Sequence, residues 1–165
     1  MCSSDLHLSR YLEKKPVNWI LDLRLILRER KEKTRQLFYY KADSHWNFLG
    51  ALWGFQAIGE ALARIGYPIS SPIRESDLTA LPFDRAAEFL YIPISPSSGS
   101  SFELKHPILD CIKKEEAPHF EDLPRFSKIV EITTCKKGRW KAVVIKDSFF
   151  DYLRLYISSS FSRVS

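Results

Sequence analysis

The chain has 165 residues, of which 45% are hydrophobic and 27% charged, and these values argue against a disordered segment and indicate one globular domain. Its net charge of +5 is compatible with an acidic partner such as nucleic acid but is too small to require one. The three cysteines are an odd number and no apolar secretory segment begins the sequence, so a reducing, cytoplasmic location is predicted.

Residues 1–6 have two interpretations. The stretch from Cys2 to Leu6 matches the translation of the end of a widely used sequencing adapter, which would make residues 1–6 an assembly artefact. Alternatively, Ser4 and Asp5 form a polar, helix-capping start. Residues 7–165 are predicted to form a single α+β domain, which in the first interpretation is the C-terminal part of a longer protein.

Two secondary-structure signals conflict over residues 17–42. The leucines at 21, 23, 25 and 27 recur with the period of two that is typical of a strand, whereas the local composition favours a helix. A hairpin of residues 17–28 and 35–42 with a charged tip at 29–34 is preferred, because a helix would leave Leu21 and Leu25 off its apolar side. One long helix from residue 18 to about residue 40 stays open as the alternative.

Residues 44–65 are predicted to form a central amphipathic helix. Ser44 is a good N-cap, and Gly66 followed by Pro68 provides a C-terminal glycine and a proline stop. The helix carries a stripe of small residues beside a stripe of bulky ones: Gly50, Gly54, Ala57 and Ala61, then Phe48, Leu52, Phe55, Leu62 and Ile65. Close packing in the core is the preferred interpretation of the small stripe, and a dimer seam is the alternative.

The middle of the chain is predicted to consist of short elements separated by loops. Residues 69–81 are expected to be a loop, and residues 95–101 a linker or mobile loop. Short helices entered through proline are expected at 82–88 and 107–116, and short strands at 89–92 and 102–105.

The C-terminal part is predicted to be a hairpin followed by a helix. Residues 128–134 and 139–146 are rich in β-formers, and Gly138 is expected in the left-handed position of the turn that joins them. Ser148 and Asp151 form a capping-box-like start for a helix through about residue 157. The predicted fold is therefore α+β, a mainly antiparallel sheet with helix 44–65 packed on it.

Two cationic segments also contain aromatic residues. The first basic cluster is Arg28, Arg30, Lys31, Lys33 and Arg35, with Tyr39 after it, and the second basic cluster is Lys136, Lys137, Arg139 and Lys141 around Trp140. Cations neutralise phosphates and flat rings stack on bases, so this combination predicts contact with a nucleic acid on one continuous face. The alternative is a solvated cationic face over aromatics that point to the core.

Enzymatic candidates carry less specific patterns. Glu103 and Lys105, with Asp84 upstream, resemble the Glu-x-Lys pattern of PD-(D/E)xK nucleases, whose carboxylates bind a divalent metal. That family places the pair on a central strand, whereas a loop precedes Glu103 here. The series His106, Cys111, His119 and Cys135 lacks a tight ligand pair, and a Cys111 nucleophile lacks an activating neighbour, so neither a metal nor a cofactor is predicted.

The sequence thus predicts a non-catalytic nucleic-acid-binding module or accessory subunit. A protein-interaction subunit is the alternative, and a metal-dependent nuclease is a third, weaker hypothesis. A nucleic-acid partner and a protein partner are expected. No membrane partner is expected, because Gln56, Glu60 and Arg64 interrupt the most apolar stretch, residues 48–66.

Overall fold

A computed structural model describes residues 21–40, 45–81, 101–104, 111–115 and 131–165. The elements are α1 (Leu23–Thr34), α2 (Phe48–Arg64), a 3-10 turn (Glu75–Asp77), β1 (Leu78–Leu81), β2 (Ser101–Leu104), β3 (Ile112–Glu115), β4 (Ile132–Cys135), β5 (Lys141–Ala142), α3 (Phe150–Ser160) and β6 (Arg163–Val164). The predicted α+β class is confirmed. Every helix in these ranges is too short or too polar to cross a membrane. The expectations for residues 1–20, 82–88 and 89–92, and most of 95–101, lie outside the described residues.

Helix α1 corrects the prediction of a hairpin over residues 17–42. The Asp22 carboxylate caps the helix by accepting the Arg24 N–H at 3.0 Å, and the Arg24 guanidinium beside it lowers the pKa of that carboxyl. The helix ends at Arg35, which is left-handed with φ 56°. The alternating leucines do not define a strand, because they do not share one buried face: Leu25 is 59% exposed. The helix propensity of the segment therefore decides its structure. The alternative, one helix over 18–40, gives the right type of element, but the observed helix is shorter, from Leu23 to Thr34.

Helix α2 confirms the predicted central helix and corrects its start. It begins at Phe48 with Asn47 as its cap, so Ser44, which lies outside the described residues, is not the N-cap. Asn47 Oδ1 accepts the Gly50 N–H at 2.9 Å. The predicted C-terminal stop is confirmed, because Gly66 has φ 90° and its N–H bonds the Ala63 carbonyl while the next N–H bonds the Leu62 carbonyl.

The small residues of α2 lie in the core, as the preferred interpretation expects. A side chain at Gly50 would overlap the Phe38 carbonyl, and one at Gly54 would press on the Trp46 ring. Helix α3 packs on the same helix, where the buried Tyr156 donates its hydroxyl hydrogen to the Phe48 carbonyl at 2.8 Å. The small stripe therefore serves close packing within this chain.

Two sheets accompany the helices. β1 and β2 form an antiparallel pair, so residues 78–81, predicted to be loop, are a strand, and the predicted strand at 102–105 is confirmed with a shift of one residue. The second sheet has the order β3-β4-β6-β5. It is mixed, because β3 and β6 pair with β4 antiparallel whereas β5 pairs with β6 in parallel. Residues 112–115, expected to be helical, form β3.

The predicted C-terminal hairpin is wrong, because β6 lies between its two strands. The turn itself exists, with the Gly138 N–H bonded to the Cys135 carbonyl at 3.1 Å, but Gly138 is not left-handed. Glycine is required there for another reason, since a Cβ would overlap the backbone of Phe161 and Ser162 as they lead into β6. Close approach, not backbone torsion, explains this residue.

Helix α3 confirms the predicted C-terminal helix but not its capping box. The Ser148 hydroxyl is hydrogen-bonded to His45 Nε2 at 2.7 Å, and Asp147 Oδ1 accepts the Phe149 N–H at 3.0 Å. Ser148, which was expected to cap the helix, thus connects its start to His45 before α2, while Asp151 pairs with Lys146 at 2.8 Å.

Cys111 and Cys135, considered from the sequence only as part of a metal-ligand series or as a nucleophile, form a disulfide. The pairing of β3 with β4 places Ile112 opposite Cys135, so the neighbouring Cys111 lies within 4.7 Å of Cys135 between Cα atoms. Disulfides are rare in the cytosol, so this bond weighs against the predicted cytoplasmic location.

We expect Gly50→Ala to lower the free energy of unfolding by about 1 to 3 kcal/mol, because the added methyl group meets the Phe38 backbone. Gly59→Ala is the matched control on the same helix, since its Cβ would meet only ordinary contacts, the nearest at 3.6 Å. The control should raise stability by up to about 1 kcal/mol through helix propensity. Urea unfolding of both variants measures the difference, and equal effects would contradict the close packing.

Reduction of the Cys111–Cys135 bond should lower stability by about 3 kcal/mol, because the bond closes a loop with a sequence separation of 24. Thermal unfolding with and without a thiol reductant measures the loss, and Cys111→Ser should show the low value in both conditions. A wild-type melting curve that ignores the reductant would contradict the bond. Peptide mass mapping of the oxidised protein identifies the linked cysteines directly.

Candidate nucleic-acid interface

The first basic cluster lies on α1 and at its C-terminal end. Arg28, Lys31, Lys33 and Arg35 are exposed, whereas Arg30 is half-buried. The Arg30 guanidinium lies 4.4 Å from the centroid of the Trp53 ring on α2, a cation–π contact that holds α1 against the core. Arg28 and Lys31 are three residues apart and so lie on one side of the helix.

The second basic cluster lies on the turn after β4 and on β5. All four of its cations are exposed, while Trp140 is half-buried. Trp140 Nε1 donates to the Pro68 carbonyl at 3.1 Å, and the ring meets Tyr67 edge-on at 5.0 Å between centroids. The Arg139 guanidinium lies 4.7 Å from the Trp140 ring centroid. Trp140 therefore positions Arg139 on the surface and is itself in contact with protein, while its predicted contact with a nucleic acid stays a prediction.

Among the described residues, Tyr39 and Tyr67 are the aromatic residues with the most exposed rings. Tyr39 is 41% exposed beside a bridge with Trp46, and Tyr67 is 49% exposed. Partial burial raises the pKa of Tyr39, so its hydroxyl stays protonated at neutral pH. Sequence reasoning missed Tyr67, because Gly66 and Pro68 assigned that segment to a helix stop. Its position between a cationic turn and a helix end is visible only in three dimensions.

Most described cations outside the two clusters form ion pairs, with Arg64, Arg74 and Lys113 as the exceptions, whereas the cluster cations form none with a described residue. Among the described residues, the ion pairs are formed by cations outside the clusters: Arg24, Lys114, Lys146, Arg154 and Arg163. No cation of either cluster has an acidic partner in those ranges. Glu115, from the acidic segment 103–122, pairs with Arg163 at 2.8 Å and with no cation of either cluster.

The two clusters are attached to different parts of α2. The first contacts Trp53, and the second contacts Tyr67 and Pro68, which follow the end of that helix. A helix rises about 1.5 Å per residue, so Trp53 and the last helical residue, Arg64, are about 16 Å apart along the axis. That distance corresponds to about five base-pair steps of duplex DNA. A common face for both clusters remains a prediction that binding experiments test.

The enzymatic candidates are not brought together in the described residues. Glu103 lies on β2 opposite Thr79, in a sheet of two strands, whereas the nuclease pattern requires a central strand. Asp84, Lys105, His106 and His119 lie outside the described residues. Cys111 and Cys135 are joined to each other, so neither thiol is free as a ligand or nucleophile. Within the same ranges, no group of three His, Cys, Asp or Glu residues could hold a metal ion.

Comparison with protein families, with curated proteins and with solved structures found no match. The roles of the two basic clusters must therefore be inferred from the exposure, pairing and position of their own side chains.

We expect Trp140→Leu to lower stability by about 1 to 2 kcal/mol, because it removes the hydrogen bond to Pro68 and the rings packed on each other. Tyr39→Leu, at a comparably exposed aromatic whose hydroxyl is not part of a described hydrogen bond, should cost less than half as much. Thermal unfolding compares the two. If Trp140→Leu is as mild as the control, Trp140 has no structural role and its ring becomes a stacking candidate again.

Proposed function

We propose that this protein is a non-catalytic nucleic-acid-binding module or accessory subunit that contacts a phosphate backbone through its two basic clusters. The observation that carries the proposal is the ion pairing: the cluster cations have no acidic partner among the described residues, while most cations elsewhere in those ranges do. Unpaired, exposed cations are free to replace the counterions of a polyanion, which is the main source of affinity in sequence-independent binding.

The local geometry supports phosphate contacts of two kinds. Arg28 and Lys31 present two charges from one side of α1, and Arg139 is held on the Trp140 ring rather than left as a freely rotating side chain. A positioned guanidinium loses less conformational entropy when it binds a phosphate. Tyr39 follows the first cluster by four residues, and Tyr67 contacts Trp140 of the second cluster, so their exposed rings are available for bases.

The protein-interaction alternative is supported by a separate surface, the edge of the four-stranded sheet at β5, where Val143 and Ile145 are exposed. In the described residues, nothing favours the nuclease hypothesis, because Glu103 is not on a central strand. The proposed activity therefore needs neither a metal nor a cofactor.

Binding to a single strand and to a duplex of about ten base pairs should weaken steeply with salt, with a logarithmic slope of about 0.7 to 0.9 per phosphate contact. Lys136→Gln combined with Lys137→Gln, and Arg28→Gln combined with Lys31→Gln, should each reduce that slope by about two. Lys113→Gln combined with Lys114→Gln is the control that removes the same number of charges, since both lysines are exposed on the edge strand β3 and belong to neither cluster. Fluorescence anisotropy at several salt concentrations provides the slopes.

An equal loss in the control and cluster variants would contradict the proposal and indicate nonspecific attraction to the net charge. Oligonucleotide length then tests the common face. If both clusters contact one strand, Arg28→Gln combined with Lys31→Gln should weaken the binding of a long oligonucleotide more than the binding of a short one that reaches a single cluster. If the effect of each variant is independent of length, the clusters do not share a face.

A further inference from the structure

The four-stranded sheet has two edges of opposite character. Strand β3 forms one edge and exposes charged side chains, Lys113, Lys114 and Glu115, of the kind that prevents strands of other molecules from pairing with an edge. Strand β5 and the residues after it form the other edge. There Val143 is 83% exposed and Ile145 is fully exposed. Large apolar side chains that alternate along an open edge indicate a surface for pairing.

The backbone of this second edge is also available. On the inner side, the Trp140 carbonyl, the Ala142 carbonyl and the Val144 N–H bond residues 162 and 165, at 2.7 to 3.1 Å. Successive residues of a strand direct their backbone groups to opposite edges, so Val143 and Ile145 direct theirs outward. Neither residue has a backbone hydrogen bond to any described residue. The edge thus offers donors and acceptors beside an apolar surface.

The sequence of the edge is complementary to itself in one register. In an antiparallel pair of two copies centred on Val144, Val143 of each copy faces Ile145 of the other, and Lys141 faces Asp147. Centring the pair on residue 143 instead places Lys141 opposite Ile145, and centring it on residue 145 places Val143 opposite Asp147. Only the first register pairs apolar with apolar and cation with acid, the cross-strand pairs that stabilise a sheet. The outward residues 143 and 145 are also those that hydrogen-bond across such a pair, whereas the Asp147 carbonyl already accepts the Phe150 N–H at 3.3 Å, so Asp147 contributes only its side chain.

We propose that the occupant of this edge is a second copy of the chain, joined antiparallel about a two-fold axis at Val144 to make one continuous eight-stranded sheet. The two-fold axis makes each contact occur twice, as in an isologous dimer. Asp147 already accepts the Phe149 N–H through one carboxylate oxygen, and its other oxygen is free to receive Lys141 of the second copy. The inference is independent of the proposed nucleic-acid binding except at Lys141, which belongs to the second basic cluster and pairs with Asp147 in the dimer.

Exchanging the charges of Lys141 and Asp147 tests the dimer and its register without nucleic acid. Wild-type protein should show a concentration-dependent dimer in sedimentation velocity. Lys141→Asp should weaken association at least about tenfold, because it places an acid opposite Asp147. Asp147→Lys should do the same, and the two substitutions together should restore the wild-type dissociation constant. Ile145→Lys, at a fully exposed position, should abolish the dimer with no change in thermal unfolding of the monomer.

Lys113→Asp on the charged β3 edge is the matched control and should leave association unchanged. A protein that remains a monomer at every concentration overturns the proposal. So does a dimer that survives Ile145→Lys, or one that the double exchange fails to restore. A failure of this test leaves the nucleic-acid proposal intact, since the salt slope is measured on Arg28, Lys31, Lys136 and Lys137, none of which lies at the proposed dimer contact.

Discussion

The structure depends on the hydrogen bonding around Asn47 at the start of α2. Its side chain donates to the Leu37 carbonyl and accepts the Gly50 N–H, while its own N–H bonds the Phe38 carbonyl. Asn47 is fully buried, so each unmade bond would leave a polar group without water. This set of bonds brings the chain after α1 so close to α2 that only glycine fits at position 50. The start of α2 is thereby fixed to the segment that follows α1.

The C-terminal helix is attached to the same end of α2. Tyr156 bonds the Phe48 carbonyl, and Trp46 Nε1 bonds the Phe149 carbonyl at 2.8 Å. Burial raises the pKa of Tyr156 far above neutral pH, so its hydroxyl keeps the hydrogen that it donates. The N-terminal end of α2 therefore determines where α1 and α3 lie. The other end of α2 leads to Tyr67, which contacts Trp140. The two basic clusters take their positions from the same helix even though about a hundred residues separate them.

What could be predicted from the sequence is what local chemistry determines. The C-terminal end of α2 follows from Gly66, a signal contained within a few residues. The hairpin prediction failed because β6, only two residues long, has no periodicity and pairs between strands that precede it by over twenty residues. The disulfide depends on the same long-range pairing, since Cys111 meets Cys135 only after β3 aligns with β4. Nonlocal strand order, unlike a helix stop at glycine, leaves no local trace.

The candidate site shows the same division. Exposure of the cluster cations could be predicted from composition, but the engagement of Trp140 with Pro68 and the proximity of Tyr67 could not, because residues 67 and 140 are distant in sequence.

The charge distribution on α1 bears on why the first basic cluster exists. Lys31 and Lys33 lie in the last turn, where they interact favourably with the helix dipole by about 0.3 to 1 kcal/mol each. Arg28 is too far from that end to benefit, and its spacing of three from Lys31 is repulsive by about 0.2 to 0.5 kcal/mol. Arg28 has no ion pair among the described residues, although its charge helps the Arg24 side chain to lower the pKa of the Asp22 carboxyl that caps the helix. Under the proposed function, a polyanionic partner would convert the repulsion between Arg28 and Lys31 into two phosphate contacts.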